Sequence, residues 1–366
     1  MSTLSIFLAT LPGLEATLAD EARELGFEEP RPVPGGVEIE GSWAEVWRAN
    51  LQLRCASRVL LRLRSFRAPH LAQLDKRARK LPWGEIFPEQ TALKVEAECR
   101  RSRIYHAGAA ASRVLNAAEA ALGRGSGDPL RVLVRIVDDL ATISLDTSGA
   151  PLHRRGLKQA VGKAPLRETL AAAFLRQCGH RADEPLIDPM CGSGTLPIEA
   201  AEMAVGLAPG RARTFPFARL VSFDRDTFAK LTPALADRRP APVFGQDRDA
   251  GAITASRANA ERAGVAPQIT FTCQPISELS PEGCDGPGLV LVNPPYGGRI
   301  GTAKRLPALY GALGQVLRER FSGWRVGLTT SEASLALATH LPFQTPGPPI
   351  PHGGLKIRLY QTDPLT

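Results

Sequence analysis

No apolar run in this 366-residue chain approaches the roughly 20 residues needed to cross a bilayer, so a membrane-spanning helix is not expected. Cysteine is sparse and scattered: Cys55, Cys99, Cys178, Cys191, Cys273 and Cys284 include no C-x-x-C pair. The histidines show no closely spaced pair of the kind that completes a zinc site. Structural metal sites and disulfide frameworks both need tighter clustering, so no metal is expected, and reduced thiols in a cytoplasmic protein are. The apolar start, Leu4–Leu11, has no basic leader and runs into the acidic stretch Glu15–Glu24. It reads as a strand, not as a signal peptide.

What is present is a basic chain of formal charge +8, with 43% hydrophobic residues, ordinary for a globular protein. The charge is unevenly spread. Residues 1–45 carry two basic against nine acidic side chains, whereas residues 46–113 carry fifteen basic against five acidic. A basic segment suits a polyanionic partner, although a solvated face has the same composition.

The length allows two or three domains. Residues 1–65 read as strand, helix, strand, helix, strand, with Leu14, Leu18, Ala22 and Leu25 at helical spacing and Val37–Ile39 and Val59–Leu63 as strands. The apolar stripe Trp43, Val46, Trp47 and Leu51 reads as core. Residues 66–150 continue in small α+β pieces: a basic helix at Leu71–Leu81, a strand at Ala92–Glu98, a helix at Ala109–Leu122, and strands at Arg131–Val137 and Ala141–Leu145. Residues 151–366 start with a basic linker, then change pattern. Strands at Pro185–Asp188, Pro242–Gly245, Gln268–Cys273, Gly288–Val292 and Trp324–Thr329 alternate with helical segments, which implies an α/β, doubly wound, mostly parallel sheet. Pro346–Pro351 reads as a loop.

Two motifs fall at strand ends, where such sheets bind ligands. The first is Asp188-Pro189-Met190-Cys191-Gly192-Ser193-Gly194-Thr195, before the helix Leu196–Ala204. Its glycines allow a sharp turn and close approach of the backbone to a ligand. Pro197 replaces the third glycine of a dinucleotide loop, which disfavours nicotinamide. After the next strand come Asp247, placed for ribose hydroxyls, Arg248, and Asp249, which suits the N-cap of a helix at Ala250–Ala263. The second motif is Asn293-Pro294-Pro295-Tyr296. An exocyclic base amine is a poor nucleophile because its lone pair is delocalised into the ring. The Asn293 side-chain oxygen and the Pro294 carbonyl can accept its two hydrogens and favour a pyramidal nitrogen. The prolines stiffen that geometry, and Tyr296 offers a face for an unstacked base.

On these motifs the sequence resembles the class I S-adenosylmethionine-dependent RNA methyltransferases that carry an N-terminal THUMP domain, and most closely the bacterial group acting on guanine N2 of 23S ribosomal RNA. The resemblance extends through Pro12-Gly13-Leu14-Glu15, Asn50-Leu51-Gln52-Leu53-Arg54, Ala56–Leu60, Leu145–Gly149, Leu152–Gly156 and Ala164–Leu170. It implies a ferredoxin-like unit over 1–65, a THUMP unit over 66–150 and a Rossmann-like methyltransferase domain over 151–366. S-adenosylmethionine would lie on the glycine loop, with Asp188, Gly192, Gly194 and Thr195 at its methionine end and Asp247 at its ribose. Glu199 would face the same ligand or lie on a solvated helix face. One departure stands out: Pro275 occupies the position of the family's adenine-binding acidic residue, leaving backbone groups, Ser277 or Glu278 for that task.

Arg154, Arg155, Lys158 and Arg299 are the candidate phosphate contacts. Ribosomal RNA is the expected partner and transfer RNA the alternative, while a non-catalytic RNA-binding assembly factor would lack a reason for both motifs. N-P-P-Y also serves adenine in DNA and glutamine in release factors, but the basic N-terminal half favours RNA. Cytosine-C5 transfer would require a cysteine nucleophile near the fourth strand of the catalytic sheet, where Cys284 precedes the strand in a turn.

Overall fold

The computed structural model describes residues 3–159, 166–235, 240–297 and 305–366. Two compact units emerge. Unit 1 comprises the described residues of Met1–Thr10, Ala19–Leu152 and Arg213–Thr232, and unit 2 those of Leu11–Leu18, His153–Ala212 and Pro233–Thr366.

The first 146 residues contain β1 (Leu4–Ala9), α1 (Glu15–Glu24), β2 (Arg31–Val33), β3 (Gly36–Gly41), α2 (Trp43–Gln52), β4 (Arg58–Arg67), α3 (Leu71–Ala78), α4 (Trp83–Ile86), β5 (Thr91–Arg100), α5 (Ala107–Leu122), β6 (Ser126–Val137) and β7 (Leu140–Asp146). Their strands form one sheet in the order β2-β3-β1-β4-β7-β6-β5. The β4–β7 pairing carries this sheet across residue 65, the boundary expected from sequence. Only β5 and β6 are parallel, because α5 returns the chain between them. Trp47 is buried, as a core stripe requires, and packs on Phe217 and Phe223 from the segment that contains the short helix α8 (Arg225–Ala229). That segment was expected with the catalytic part. Its cluster of Phe215, Phe217, Phe223 and Phe228 explains why it packs with unit 1 instead.

A buried polar network joins α2, β4 and the end of β7. The Asn50 amide donates to Val46 O and Thr147 Oγ1, both at 2.9 Å, and its oxygen accepts from Ser148 Oγ at 2.6 Å. Thr147 Oγ1 donates to Val59 O and the Val59 amide donates to Ser148 Oγ, each at 2.8 Å. Every member is needed because burial removes water as a substitute partner.

Unit 2 contains α6 (Glu168–Gln177), β8 (Leu186–Asp188), α7 (Thr195–Val205), β9 (Val243–Asp247), α9 (Ala250–Ala263), β10 (Ile269–Cys273), β11 (Leu289–Val292), α10 (Leu306–Arg320), β12 (Arg325–Thr330), α11 (Ala333–Ala338), β13 (Ile350–His352) and β14 (Leu355–Gln361). The sheet order is β10-β9-β8-β11-β12-β14-β13, parallel from β10 to β12 and antiparallel at β14 and β13. All four residues of β11 are buried, as expected for a parallel strand covered on both faces. From β8 the chain adds β9 and β10 on one side, then crosses back to add β11 and β12 on the other, so the winding reverses between β8 and β11. The expected loop at Pro346–Pro351 ends in β13, where proline is tolerated because an edge strand pairs on one side only.

Asn50→Ala should destabilise the protein by about 2–4 kcal/mol, since it leaves the Ser148 hydroxyl proton without its acceptor and takes one partner from Thr147 in a dry site. Urea denaturation followed by circular dichroism measures this; a change below about 1 kcal/mol would contradict the network's role.

Candidate active site at the switch point

The glycine loop is built where β8 ends. The Cys191 amide donates to Gln246 O at 2.7 Å, and the Gly192 amide donates to Asp247 Oδ2 at 3.0 Å. These bonds tie the ends of β8 and β9 together. Gly192 and Gly194 have φ of +55° and +80°, the left-handed region that disfavours any side chain. At Gly194 a side chain would also press on Ser256, whose Cβ and Oγ lie 3.1 Å from the position of an added Cβ. Pro189, Met190 and Ser193 complete the turn into α7, whose first residue is Thr195.

Asp188 is 2% exposed, and its Oδ1 accepts from the Met190 amide at 3.1 Å. Burial, with the neighbouring Asp247 carboxylate, drives its carboxyl well above the ordinary range. Such a group favours a proton or a bound cation. Asp249 takes the helix cap, accepting from the Gly251 and Ala252 amides at 2.7 and 3.2 Å. Asp247 Oδ1 accepts from the Asp249 amide at 3.0 Å, so both its oxygens help shape the loop. Arg248 is exposed at the same strand end, and Pro275, Ser277 and Glu278 are exposed after β10.

The second motif follows β11. The β8–β11 register pairs Ile187 with Val290, so Asn293 stands two residues beyond the level of Asp188 on the adjacent strand. The Asn293 Oδ1 accepts from Thr329 Oγ1 at 2.8 Å, Pro295 O accepts from Tyr310 Oη at 3.2 Å, and the Gly297 amide donates to Glu332 Oε1 at 3.0 Å. Pro294 is buried, whereas Tyr296 is partly buried. Met190 from the glycine loop and Tyr296 pack against the same apolar core of Val292, Leu306, Tyr310 and Leu328. The two motifs therefore share a foundation.

Several supporting groups carry no sequence signature. Ser256 Oγ donates to Gly192 O at 2.8 Å and Asn259 Nδ2 to Ser193 O at 3.0 Å, both from α9. Thr329, Tyr310 and Glu332 hold the N-P-P-Y segment from β12, α10 and the start of α11. Only helical periodicity placing Ser256 and Asn259 on one face, four and seven residues after Ala252, hinted at the first pair.

The expected phosphate contacts divide. Arg154 is exposed. Arg155 is 5% exposed and pairs with buried Glu199 at 3.1 Å, so Glu199 does not lie on a solvated face. Lys158 donates to Thr195 Oγ1 at 2.6 Å and pairs with Glu168 at 3.5 Å. Burial lowers the Lys158 pKa and raises that of Glu168. Arg155 and Lys158 line a cavity of about 20 Å³ with Thr195, Glu199 and Asn259, which directs them at the glycine loop's supports and not at solvent. Arg299 lies outside the described residues. Neither nearby thiol is a ready nucleophile: burial pushes Cys284 up to about 11 and, with Asp188 and Asp247, Cys191 higher still.

Unit 1 holds a separate basic concavity of about 410 Å³, lined by Arg64, Phe66, Gln73, Lys76, Arg77 and Lys80. The four cations are exposed, none forms an ion pair among the described residues, and Arg77 lies 5.6 Å from the Phe66 ring centroid.

Asp188→Asn should raise the thermal stability of the ligand-free protein by a few degrees at neutral pH. A raised folded-state pKa makes ionisation costly, so the gain should vanish below about pH 4, where the carboxyl is protonated in both states, and grow as pH rises. Melting curves between pH 3.5 and 8 measure this, and a pH-independent difference would remove the assigned cause.

Residues 155–341 match the model of the RMKL-like methyltransferase domain, UPF0020, and residues 5–60 match the RlmL ferredoxin-like domain. A relative named ribosomal RNA large subunit methyltransferase K/L, from Syntrophotalea carbinolica, is 38% identical over 90% of this chain and 50% of its own length. The chain thus spans about half the length of the curated relatives it matches. Among solved structures, a possible methylase from Clostridium difficile 630 superposes with a TM-score of 0.92 at 28% identity, covering 100% of this chain and 99% of that one. A predicted N6-adenine-specific DNA methylase from Listeria monocytogenes superposes with a TM-score of 0.88 at 29% identity, covering 99% and 96%. The chain belongs to the RMKL-like methyltransferase family, and a RlmL ferredoxin-like domain precedes its methyltransferase domain.

Proposed function

We propose that this chain is an S-adenosylmethionine-dependent methyltransferase acting on an exocyclic base amine of RNA, with guanine N2 of 23S ribosomal RNA as its target. The observation that carries this reading is the placement of N-P-P-Y and the glycine loop on adjacent strand ends where the winding reverses. The residues present fit the cofactor. Asp188 is a buried carboxylate suited to an α-ammonium group, and no atom lies within 4 Å of where a Cβ on Gly192 would stand. Thr195 opens α7 directly after the loop, and Asp247, with Arg248 beside it, lies where ribose hydroxyls would be met. When bound, S-adenosylmethionine supplies an activated methyl group on its sulfonium.

The protein's own part is positioning. The Asn293 Oδ1 and the Pro294 carbonyl accept the two amine hydrogens and turn the nitrogen lone pair toward the methyl donor. Tyr296 stacks against the base. Adenine binding falls to backbone groups, Ser277 or Glu278, since Pro275 offers neither a carboxylate nor an N–H.

RNA is favoured by the basic concavity of unit 1, with Arg154 as a further contact. Residues 1–65 and 66–150 would act as ferredoxin-like and THUMP parts of one RNA-binding unit. The name of the Syntrophotalea relative supports the large-subunit ribosomal RNA; the name of the Listeria structure supports DNA adenine as the competing substrate.

The test is transfer of a labelled methyl group to separated 23S, 16S and transfer RNAs from cells lacking the protein, with nucleosides identified by mass spectrometry. N2-methylguanosine in 23S RNA, absent with Asn293→Ala although cofactor binding persists, is the expected outcome. The same nucleoside in transfer RNA would move the substrate, and another methylated base would move the target atom. Replacing Lys76, Arg77 and Lys80 with glutamine should weaken RNA binding and make the slope of log affinity against log salt shallower by about 2, at roughly 0.7–0.9 per lost phosphate contact. An unchanged slope would exclude the concavity.

A further inference from the structure

Thr329 is 1% exposed near the end of β12, and the β11–β12 register pairs Val292 with Leu328. Thr329 is therefore level with Asn293. Its hydroxyl has two acceptors in reach, Asn293 Oδ1 at 2.8 Å and Val292 O at 3.5 Å, and the shorter contact identifies the Asn293 oxygen as the partner. The neighbouring Pro295 O and Gly297 amide are held by Tyr310 and Glu332, but among the described residues the Asn293–Thr329 bond is the one that grips the side-chain amide itself.

A primary amide has two orientations of nearly equal shape that exchange its oxygen and its NH₂. Only one of them meets a base amine productively, because an amine hydrogen needs an acceptor and an NH₂ offers none. A hydroxyl can also accept from the NH₂, but its own proton would then have only Val292 O at 3.5 Å, a poor acceptor, so the orientation that presents Oδ1 at 2.8 Å is favoured. The β-branched Thr329 has few χ1 alternatives, and its burial in a central strand leaves little room to move. The carboxamide oxygen has two lone pairs, so one can take the Thr329 proton while the other remains for the base.

We propose that Thr329 is a positioning residue for methyl transfer, acting through Asn293 by fixing which end of its side-chain amide serves as acceptor. This rests on the reading of Asn293 as the acceptor of the base amine. Thr329 touches neither substrate nor cofactor in this scheme; it sets the fraction of molecules whose amide is correctly turned.

The test compares Thr329→Val, which keeps the shape and removes the donor, with Thr329→Ser, which keeps the donor, and with Asn293→Ala. Each is assayed in the full chain for kcat and KM with 23S RNA, for S-adenosylhomocysteine affinity by calorimetry, and for melting temperature. Thr329→Val should lower kcat about 5- to 10-fold, as expected for one lost hydrogen bond, with KM and cofactor affinity within about twofold of wild type. Thr329→Ser should restore kcat to within about twofold. Unchanged kcat in Thr329→Val overturns the proposal. So does a serine variant as impaired as the valine one, or an equal loss of cofactor affinity, since either marks a packing role. Full turnover by Asn293→Ala instead overturns the reading of Asn293 itself.

Discussion

The catalytic unit depends on one topological constraint. A parallel sheet wound first to one side and then to the other cannot cover the gap where the winding reverses, because consecutive helices leave that point in opposite directions. Between β8 and β11 the winding of the sheet reverses in this way. The chain places its two chemical motifs on the strands that border this reversal. The glycine loop needs backbone freedom and the N-P-P-Y segment needs stiffness, and separate strand ends supply both without compromise.

Support for the loop comes from α9 more than from its own residues. Ser256 and Asn259 hold the carbonyls of Gly192 and Ser193, while Asp247 holds the Gly192 amide. A loop clamped on both its donors and its acceptors keeps its shape without a ligand. Beside it, the Arg155–Glu199 and Lys158–Glu168 pairs set alternating charges in a largely buried position. Removing one member of such a pair would leave its partner buried and unmatched, which costs more than the pair contributes.

Much of this was legible in sequence where the determinants are local. The strands of the second sheet are apolar runs between turn residues, and α9 spans the expected Ala250–Ala263 with its Asp249 cap. Both motifs are contiguous, so their strand-end positions could be read directly. What escaped notice was non-local. Thr329 lies 36 residues after Asn293, and nothing in its surroundings marks it out. Arg155 and Lys158 look like solvent-seeking cations because the carboxylates that bury them, Glu199 and Glu168, come from separate helices. The segment around Phe217 and Phe223 follows α7 in sequence, but its aromatic side chains match the Trp47 surface, and it belongs with Trp47 to unit 1.

The C-terminal margin of the catalytic sheet has its own consequence. Sheet margins invite strand addition, because unpaired amides and carbonyls can template a neighbouring chain. Here the outermost strand, β13, is only three residues long and has Pro351 at its centre. A proline cannot donate to an incoming strand, and so short a ladder provides almost no register for one. That margin is a poor template for edge-to-edge strand addition.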